Sequence, residues 1–505
     1  MPIRAAIAGL LAGLALPPQG WPWLLWPCLA VLWRLCAAAP RPALAGALWG
    51  GTAVLVSHRW LLALHPLDWL GIPLPISLPL VVMLWLFCAA LAALLVGAWA
   101  ALAGRLTPIT ADRALLLACL WGLAEVVLAR LPLFWLGLGS VVLPGDPALA
   151  GLASGIGAGG LATVQLMLGW GLHRCWPVRS GRPRLEPWTT AARRGLSLAA
   201  VVLALHGLGA WALVGATPPP AQTFRPEPDQ ASVALLAYQP AVPTREKFDP
   251  GQIRRMRRGL EAAQAAARAM GLAGVVAPEG MLSAGALRPE PWDGELLSGG
   301  FRRTATGLRS SLLRFEDGRA RPGSALDKHR LVLLGEWVPL ARWWSWTGLS
   351  AVGGVEPGAP SRLMRRPGAD LGLAICYEIS DGESLAAAVR RGAGWLLAIA
   401  NLDPYPVMLQ QQFLALARLR AIETRRPVLL AANTGPTASL GPDGAIEALL
   451  TGGRPGLLPV ELQPRNDRTL YARWGSWPLL ALLVASGLRV ASRSISPPPS
   501  SRSPS

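Results

Sequence analysis

Charge is scarce in this sequence, and lysine is almost missing from it. Only 15% of the 505 residues are charged, while 52% are hydrophobic; a soluble globular chain carries about 25% charged residues. That shortage excludes a single soluble domain, and the long apolar runs exclude a disordered chain. Six cysteines in 505 residues exclude a small secreted scaffold held by disulfides. Of 47 basic residues only Lys247 and Lys328 are lysines, which leaves 45 arginines. Where positive charge alone is needed this chain uses arginine, so a retained lysine is a candidate for chemistry that a guanidinium does not serve.

What charge there is falls unevenly. Residues 1–215 hold 13 Arg and 5 acidic residues, whereas 216–474 hold 31 basic and 24 acidic ones. A membrane-embedded first half and a water-soluble second half account for the contrast. The net charge of +18 suggests nucleic acid. Yet 16 of the 47 positive charges lie in or beside hydrophobic segments, where they face anionic lipid instead. No nucleic-acid partner is expected.

Apolar runs lie at about Ala5–Leu16, Trp21–Leu35, Leu44–Leu64, Ile76–Leu102, Ala114–Ala129, Leu149–Leu172 and Leu196–Val214, with an eighth at Gly475–Leu488. A spanning helix needs ~20 apolar residues, so the first, second and last are short. With the N-terminus inside, the inner loops carry Arg34 and Arg41, Arg105 and Arg113, then Arg174, Arg179, Arg182, Arg184, Arg193 and Arg194. The outer connections around 17–20, 65–75 and 132–148 carry no Lys or Arg. This is the positive-inside pattern, and it predicts about eight spans with residues 216–474 on the outer side of the membrane. Fifteen of the 23 Trp fall in residues 1–215, many near span ends, where interfacial anchors belong. Glu125, Arg59 and Arg130 make no proton relay. The formal GxGxxG at 155–160 lies inside a span, so it reads as close helix packing rather than dinucleotide binding.

The expected organisation is therefore a seven-span membrane domain at 1–215, a Pro-rich linker at 216–230, a catalytic domain at 231–470, a last span at 471–491 and a low-complexity tail at 492–505. Within 231–470 short apolar runs at Val233–Ala237, Gly274–Ala277, Leu331–Leu334, Leu371–Cys376, Trp395–Ile399 and Val428–Ala431 read as strands. Gln252–Met270 and Phe413–Glu423 read as helices. Strands and helices in this order predict an α/β domain in layers.

Three residues stand out at the ends of these elements. Glu279 follows Val275-Val276-Ala277-Pro278, Lys328 lies in Asp327-Lys328-His329 ahead of the Leu331 strand, and Cys376 closes the strand Leu371–Ile375. Cys376 is the sole cysteine of this domain, so it has no local disulfide or metal-ligand partner, and no metal is expected. A nucleophilic thiol needs a base to take its proton and a cation for the developing oxyanion; Glu and Lys supply these. Taken singly, each residue has an ordinary structural role; the set is what points to chemistry.

At these residues the chain resembles the nitrilase, or carbon–nitrogen hydrolase, superfamily, with its Glu–Lys–Cys triad. With the spans it looks like the bacterial apolipoprotein N-acyltransferase family, on Leu14-Ala15-Leu16-Pro17-Pro18, Pro278-Glu279, Asp327-Lys328-His329, Leu334-Gly335-Glu336-Trp337-Val338-Pro339, Ile375-Cys376-Tyr377-Glu378, Arg420-Ala421-Ile422-Glu423 and Ala432-Asn433-Thr434-Gly435. The pattern departs at Asn401-Leu402-Asp403-Pro404-Tyr405-Pro406, at Gln412-Phe413 ahead of the later helix, and at Gly280 after the glutamate.

The resemblance implies an α-β-β-α sandwich and acyl transfer without a cofactor. Glu279 would take the proton of Cys376, whose thiolate attacks a membrane phospholipid, with Lys328 at the oxyanion. The N-terminal amine of a diacylglyceryl-cysteine on an apolipoprotein would then accept the acyl chain, on the outer side of the bacterial inner membrane. Glu336 and Glu378 match accessory acids of the family, or else pair structurally with Lys328 and a nearby Arg. Separately, Trp343, Trp344 and Trp346 form an apolar stretch that is either core or a loop holding an acyl chain at the membrane. A membrane-tethered amidase and an inactive lipoprotein-binding protein are the alternatives; the intact triad argues against the second.

Overall fold

The computed structural model describes the chain apart from residues 69–71, 132–133, 176–187, 217–231, 248, 286–287, 289–291, 317–318, 320, 333–334, 337–353, 404 and 496–505. Each expected apolar run is helical. The helices are α1 (Pro2–Ala15), α2 (Pro22–Ala38), α3 (Pro42–Ser57), α4 (Leu74–Arg105), α5 (Ala111–Leu128), the single turn α6 (Pro147–Ala150), α7 (Ala153–Cys175) and α8 (Trp188–Val214). Among the described residues three helical stretches, Leu74–Arg105, Ala153–Cys175 and Ala191–Val214, are long and apolar enough to cross a bilayer; α1, α2 and α3 have 14, 17 and 16 residues. At 1.5 Å per residue such helices reach about 21–26 Å, short of the ~30 Å hydrocarbon core.

Tryptophan departs from the expected pattern. Trp21, Trp23 and Trp211 are exposed near helix ends, but Trp33, Trp49 and Trp99 are buried between helices. Their indoles donate to main-chain oxygens of Leu166, Cys28 and Leu117 at 2.9, 3.2 and 2.9 Å, so they are bundle core rather than anchors. Glu125 is likewise structural, accepting from the Trp121 indole at 2.8 Å and the Leu138 amide at 2.7 Å. Of the 155–160 glycines, Gly157 and Gly159 pack closely against other elements, as expected, while Gly155 faces open space. Gly157 breaks α7 at φ +64°, and a Cβ on Gly159 would sit 2.8 Å from the Gly122 oxygen.

The second half contains two six-stranded sheets. The first has β1 (Val233–Gln239), β2 (Gly274–Leu282), β3 (Glu295–Arg303), β4 (Leu308–Phe315), β5 (Ser324–Asp327) and, at its far edge beside β1, β12 (Gly456–Leu462). The second runs β11 (Ile446–Leu450), β10 (Thr437–Leu440), β9 (Val428–Ala432), β8 (Trp395–Ala400), β7 (Leu371–Ile375) and β6 (Leu363–Met364). The parallel trio β7, β8 and β9 is buried throughout, as continuous apolar strands covered on both faces must be.

Residues such as Leu235, Leu297, Leu373, Leu397 and Leu429 fill the space between the sheets. Helix α9 (Pro250–Ala269) covers the outer face of the first sheet through Met256, Leu260, Ala263 and Ala267. Helices α10 (Gly382–Arg390) and α11 (Val407–Thr424) cover the second. The layers are α-β-β-α, as expected. After a short α12 (Leu470–Trp474), α13 (Trp477–Ile495) packs back against α5.

Two local expectations fail. Leu331 and Val332 are not in a strand. Instead the Glu336 amide bonds the Val332 oxygen and the Val332 amide bonds Glu336 Oε2, both at 2.9 Å. Lys328 therefore follows a strand, β5, instead of preceding one. Gln412 and Phe413 lie inside α11, which starts at Val407; Gln412 is buried, bonding the Pro17 oxygen and the Trp135 indole at 2.8 and 2.9 Å. Its neighbours lie in the membrane domain, which local periodicity does not report.

Candidate active site

Three strands meet at one point, and Glu279 lies inside its strand rather than at the end expected. Glu279 sits in β2 where its parallel pairing with β3 becomes irregular, between Ala277 and Leu282. Gly280 beside it has φ +66°, a conformation open to a residue without Cβ. Lys328 emerges from β5 and donates to Ser310 O through its own amide at 2.8 Å. Cys376 leaves β7 with φ +52°, left-handed backbone that a non-glycine residue adopts only when the surroundings impose it. That turn lifts the half-buried thiol off the sheet edge at the start of a 3₁₀ turn, Cys376–Ser380.

The ammonium of Lys328 is the hub, 2.8 Å from Glu279 Oε1 and 2.8 Å from Glu336 Oε1, with 1% of its side chain exposed. The other Glu279 oxygen accepts the Asn401 amide at 3.1 Å. Burial pushes Glu279 up, but the Lys328 ammonium beside it, with help from Lys247, outweighs burial and holds the carboxyl below its ordinary value. Burial likewise lowers Lys328, and Glu279 and Glu336 outweigh it, so the lysine stays charged. Glu336 is raised, because burial outweighs its pairing with Lys328. The Cys376 thiol is raised well above the ordinary thiol by burial and by Glu279, with Lys328 opposing. A thiol so disfavoured as thiolate needs a base in contact, and Glu279 is the carboxylate that faces it.

Glu378 has a different position. Its Oε1 accepts the His329 amide at 2.8 Å, the Arg330 amide at 3.2 Å and Arg362 Nη1 at 2.9 Å; its Oε2 accepts the Ile375 amide at 2.9 Å. It ties the Lys328 segment to the Cys376 turn. Both Glu378 and Arg362 are fully buried.

Of the expected site residues, Glu279, Lys328, Cys376 and Glu336 converge, Glu378 braces them from behind, and Trp343, Trp344 and Trp346 lie outside the described residues. Four further residues are part of the site. Lys247 donates to the Glu279 oxygen at 2.9 Å and to Asn401 Oδ1 at 3.4 Å. Arg362 partners Glu378. Asn401 and Tyr405 come from the unusual 401–406 segment, and the Tyr405 hydroxyl is raised by burial and by Cys376. Lysine scarcity is the signal that marks Lys247 in the sequence.

The residues beside the site pack against the membrane domain. The Tyr377 hydroxyl bonds the Leu131 oxygen at 2.9 Å and also reaches the Phe134 oxygen, and its ring stacks on Trp135 with centroids 6.0 Å apart. Tyr405 meets Trp60 edge-on at 5.9 Å.

A Glu–Lys–Cys cluster where three strands of an α-β-β-α sandwich converge defines a nitrilase-type, carbon–nitrogen hydrolase domain. Residues 318–469 match the carbon-nitrogen hydrolase family model, and residues 8–171 match the model of the apolipoprotein N-acyltransferase N-terminal domain. An apolipoprotein N-acyltransferase of Prochlorococcus marinus is 46% identical over 95% of this chain and 94% of its own length. One from Parasynechococcus marenigrum is 48% identical over 93% of this chain and 96% of its own. The chain belongs to the apolipoprotein N-acyltransferase family and is a membrane protein. A solved amidase from Nesterenkonia sp. aligns at 17% identity with TM-score 0.35, over 51% of this chain and 97% of that one.

Proposed function

We propose that the protein transfers a fatty acyl chain from a membrane phospholipid to the N-terminal amine of diacylglyceryl-cysteine on apolipoproteins, through a thioester on Cys376. The observation that carries this reading is the contact of one carboxylate, one ammonium and one thiol, in a chain whose relatives bear that name. Glu279 takes the Sγ proton, and the thiolate attacks the ester carbonyl. The oxyanion forms beside Lys328 Nζ and the main-chain amides next to Cys376. The C–O bond then breaks, Glu279 returns its proton to the lysophospholipid oxygen, and the thioester remains. In the second half the amine attacks the thioester carbonyl, loses a proton to Glu279, and the C–S bond breaks. The amide leaves, and the thiolate recovers the proton. Glu336 keeps Lys328 in place, and Glu378 fixes the turn that presents Cys376.

The alternation of arginine between loops supports a topology of about eight spans in the inner membrane with residues 216–474 outside. Acyl donors and lipoproteins meet on that side. Trp343, Trp344 and Trp346 supply apolar surface for the acyl chain.

The test is incubation of purified protein with vesicles of acyl-labelled phospholipid, followed by detection of hydroxylamine-labile label on Cys376. The expected result is label on the wild type and none on Cys376→Ala. Equal label on both, or none on either, overturns the mechanism. In the same assay, replacing the three Trp by Ser is expected to reduce labelling from vesicles; unchanged labelling removes them from acyl-chain binding.

A further inference from the structure

Both lysines of a chain with 45 arginines are in one site. Lys328 has the role given above, and Lys247 has none yet. It is 6% exposed, and it reaches the site at the main-chain oxygen of Glu279. Its ammonium donates to the Glu279 main-chain oxygen at 2.9 Å and to Asn401 Oδ1 at 3.4 Å. Asn401 is the residue whose amide holds Glu279 Oε2, and its own side chain is fixed by Asn433 Nδ2 at 2.6 Å and Thr244 Oγ1 at 2.9 Å. The Thr244 amide in turn bonds Asp403 at 2.6 Å. A Cβ on Gly280 would lie 3.0 Å from Lys247 Nζ, so the glycine leaves room for a compact cation where a planar guanidinium has little.

We propose that Lys247 is a second, positioning lysine of the acyl-transfer site, which holds Glu279 through its main-chain oxygen and Asn401 and balances its carboxylate with a second positive charge. This rests on the acyl-transfer reading above. Glu279 then has two cations on it: Lys328 at its carboxylate and Lys247 at its main-chain oxygen. The charged and titratable groups facing Lys247 are Glu279, Asp403 and Cys376, and those facing Glu279 also include Lys328. The Glu336 carboxyl and the Tyr405 hydroxyl complete the set. Burial lowers Lys247 to about 8, with Glu279, Asp403 and Cys376 opposing, so it is cationic at neutral pH. Losing that charge leaves Glu279 with Lys328 alone and makes the carboxyl harder to ionise. A neighbouring opposite charge moves a carboxyl by about 1–3 pH units.

The experiment is the pH profile of single-turnover thioester formation on Cys376 in full-length wild type, Lys247→Gln and Lys247→Met. Gln keeps a hydrogen-bond donor and loses the charge; Met loses both. The expected result is an acid limb displaced to higher pH by about one unit or more in both variants. At a fixed pH on that limb this is about a tenfold slower reaction. The phospholipid KM is expected to stay unchanged, because Lys247 does not touch substrate. An acid limb at the wild-type position in folded Lys247→Gln overturns the proposal. So does failure of both variants to yield folded protein, which would assign Lys247 to stability alone. Absence of thioester on the wild type defeats the acyl-transfer reading itself, and is a separate outcome.

Discussion

The main-chain amide of Ala158, in the membrane domain, donates a 2.8 Å hydrogen bond to Oε1 of Glu423 in the catalytic domain. The bond exists because Gly157 breaks α7 and leaves the next amide pointing outward. Glu423 is fully buried in α11, with Arg420 3.1 Å from its other oxygen. One carboxylate thus links the layer behind the catalytic sheet to the kinked helix of the bundle. Burial, opposed by Arg420 and the Ala158 amide, raises Glu423 to about 7.

That raised value has a signed consequence. From its ordinary 4.5 up to about 7 the folded protein keeps a proton that the unfolded chain has lost. Stability from this group is full below the lower value and falls as pH rises through the upper one. Glu423→Gln does not titrate. The melting temperature of the variant in detergent, relative to wild type, is expected to rise between about pH 5 and about pH 8. Parallel melting curves across that range would show that Glu423 does not carry the dependence.

Arg362 and Glu378 form a buried ion pair at 2.9 Å. Removing one member strands the other, at a cost of about 3–5 kcal/mol. Arg362→Met and Glu378→Ala are expected to lose stability on that scale by chemical denaturation. Glu378→Gln keeps acceptor capacity and, once folded, should form thioester with the wild-type pH profile. A displaced profile would make Glu378 a proton-handling residue.

The two glutamates on Lys328 should separate kinetically. Glu279→Gln removes the proposed base and is expected to slow thioester formation by about 10²–10⁴-fold. Glu336→Gln leaves the base and an oxygen for Lys328, so its loss should be smaller. Single-turnover labelling from phospholipid decides, and equal losses would mean that the two acids share the proton.

Cys376 is legible in sequence because it closes an apolar strand and has no competing cysteine nearby, and Glu279 because it follows the apolar run that opens β2. The central strands of the second sheet are legible for the same reason: they are apolar throughout. Strands β3, β4 and β5 are not. Leu308–Phe315 carries Arg309, Ser310, Ser311 and Arg314, whose polarity hides a strand. The fold satisfies them individually: Ser311 bonds Asp327 at 2.7 Å, and Arg314 pairs with Glu295. The apolar pattern around Lys328 predicts a strand after it, whereas the structure has one before it. The apolar runs are helical, and among the described residues three helical stretches are both long and apolar enough to cross a bilayer. Lys247 is marked by rarity, but its contact with Asn401 crosses 154 residues and no local pattern encodes it.

Helix α11 faces two ways. Phe413 and Leu416 share a core with strand residues Ala398 and Leu430 and with Trp135 and Leu136 of the membrane domain. Ala415, Leu419 and Ile422 pack on Val142, Leu149 and Leu161. The hydrolase half therefore has no finished outer surface on this side; the bundle supplies it. Severed at the proline-rich stretch after residue 216, the enzyme half would expose that helix to water as a broad greasy flank. It would gather into aggregates instead of persisting as a free-standing amidase. The lipid-facing half is in this sense the fifth layer of the sandwich.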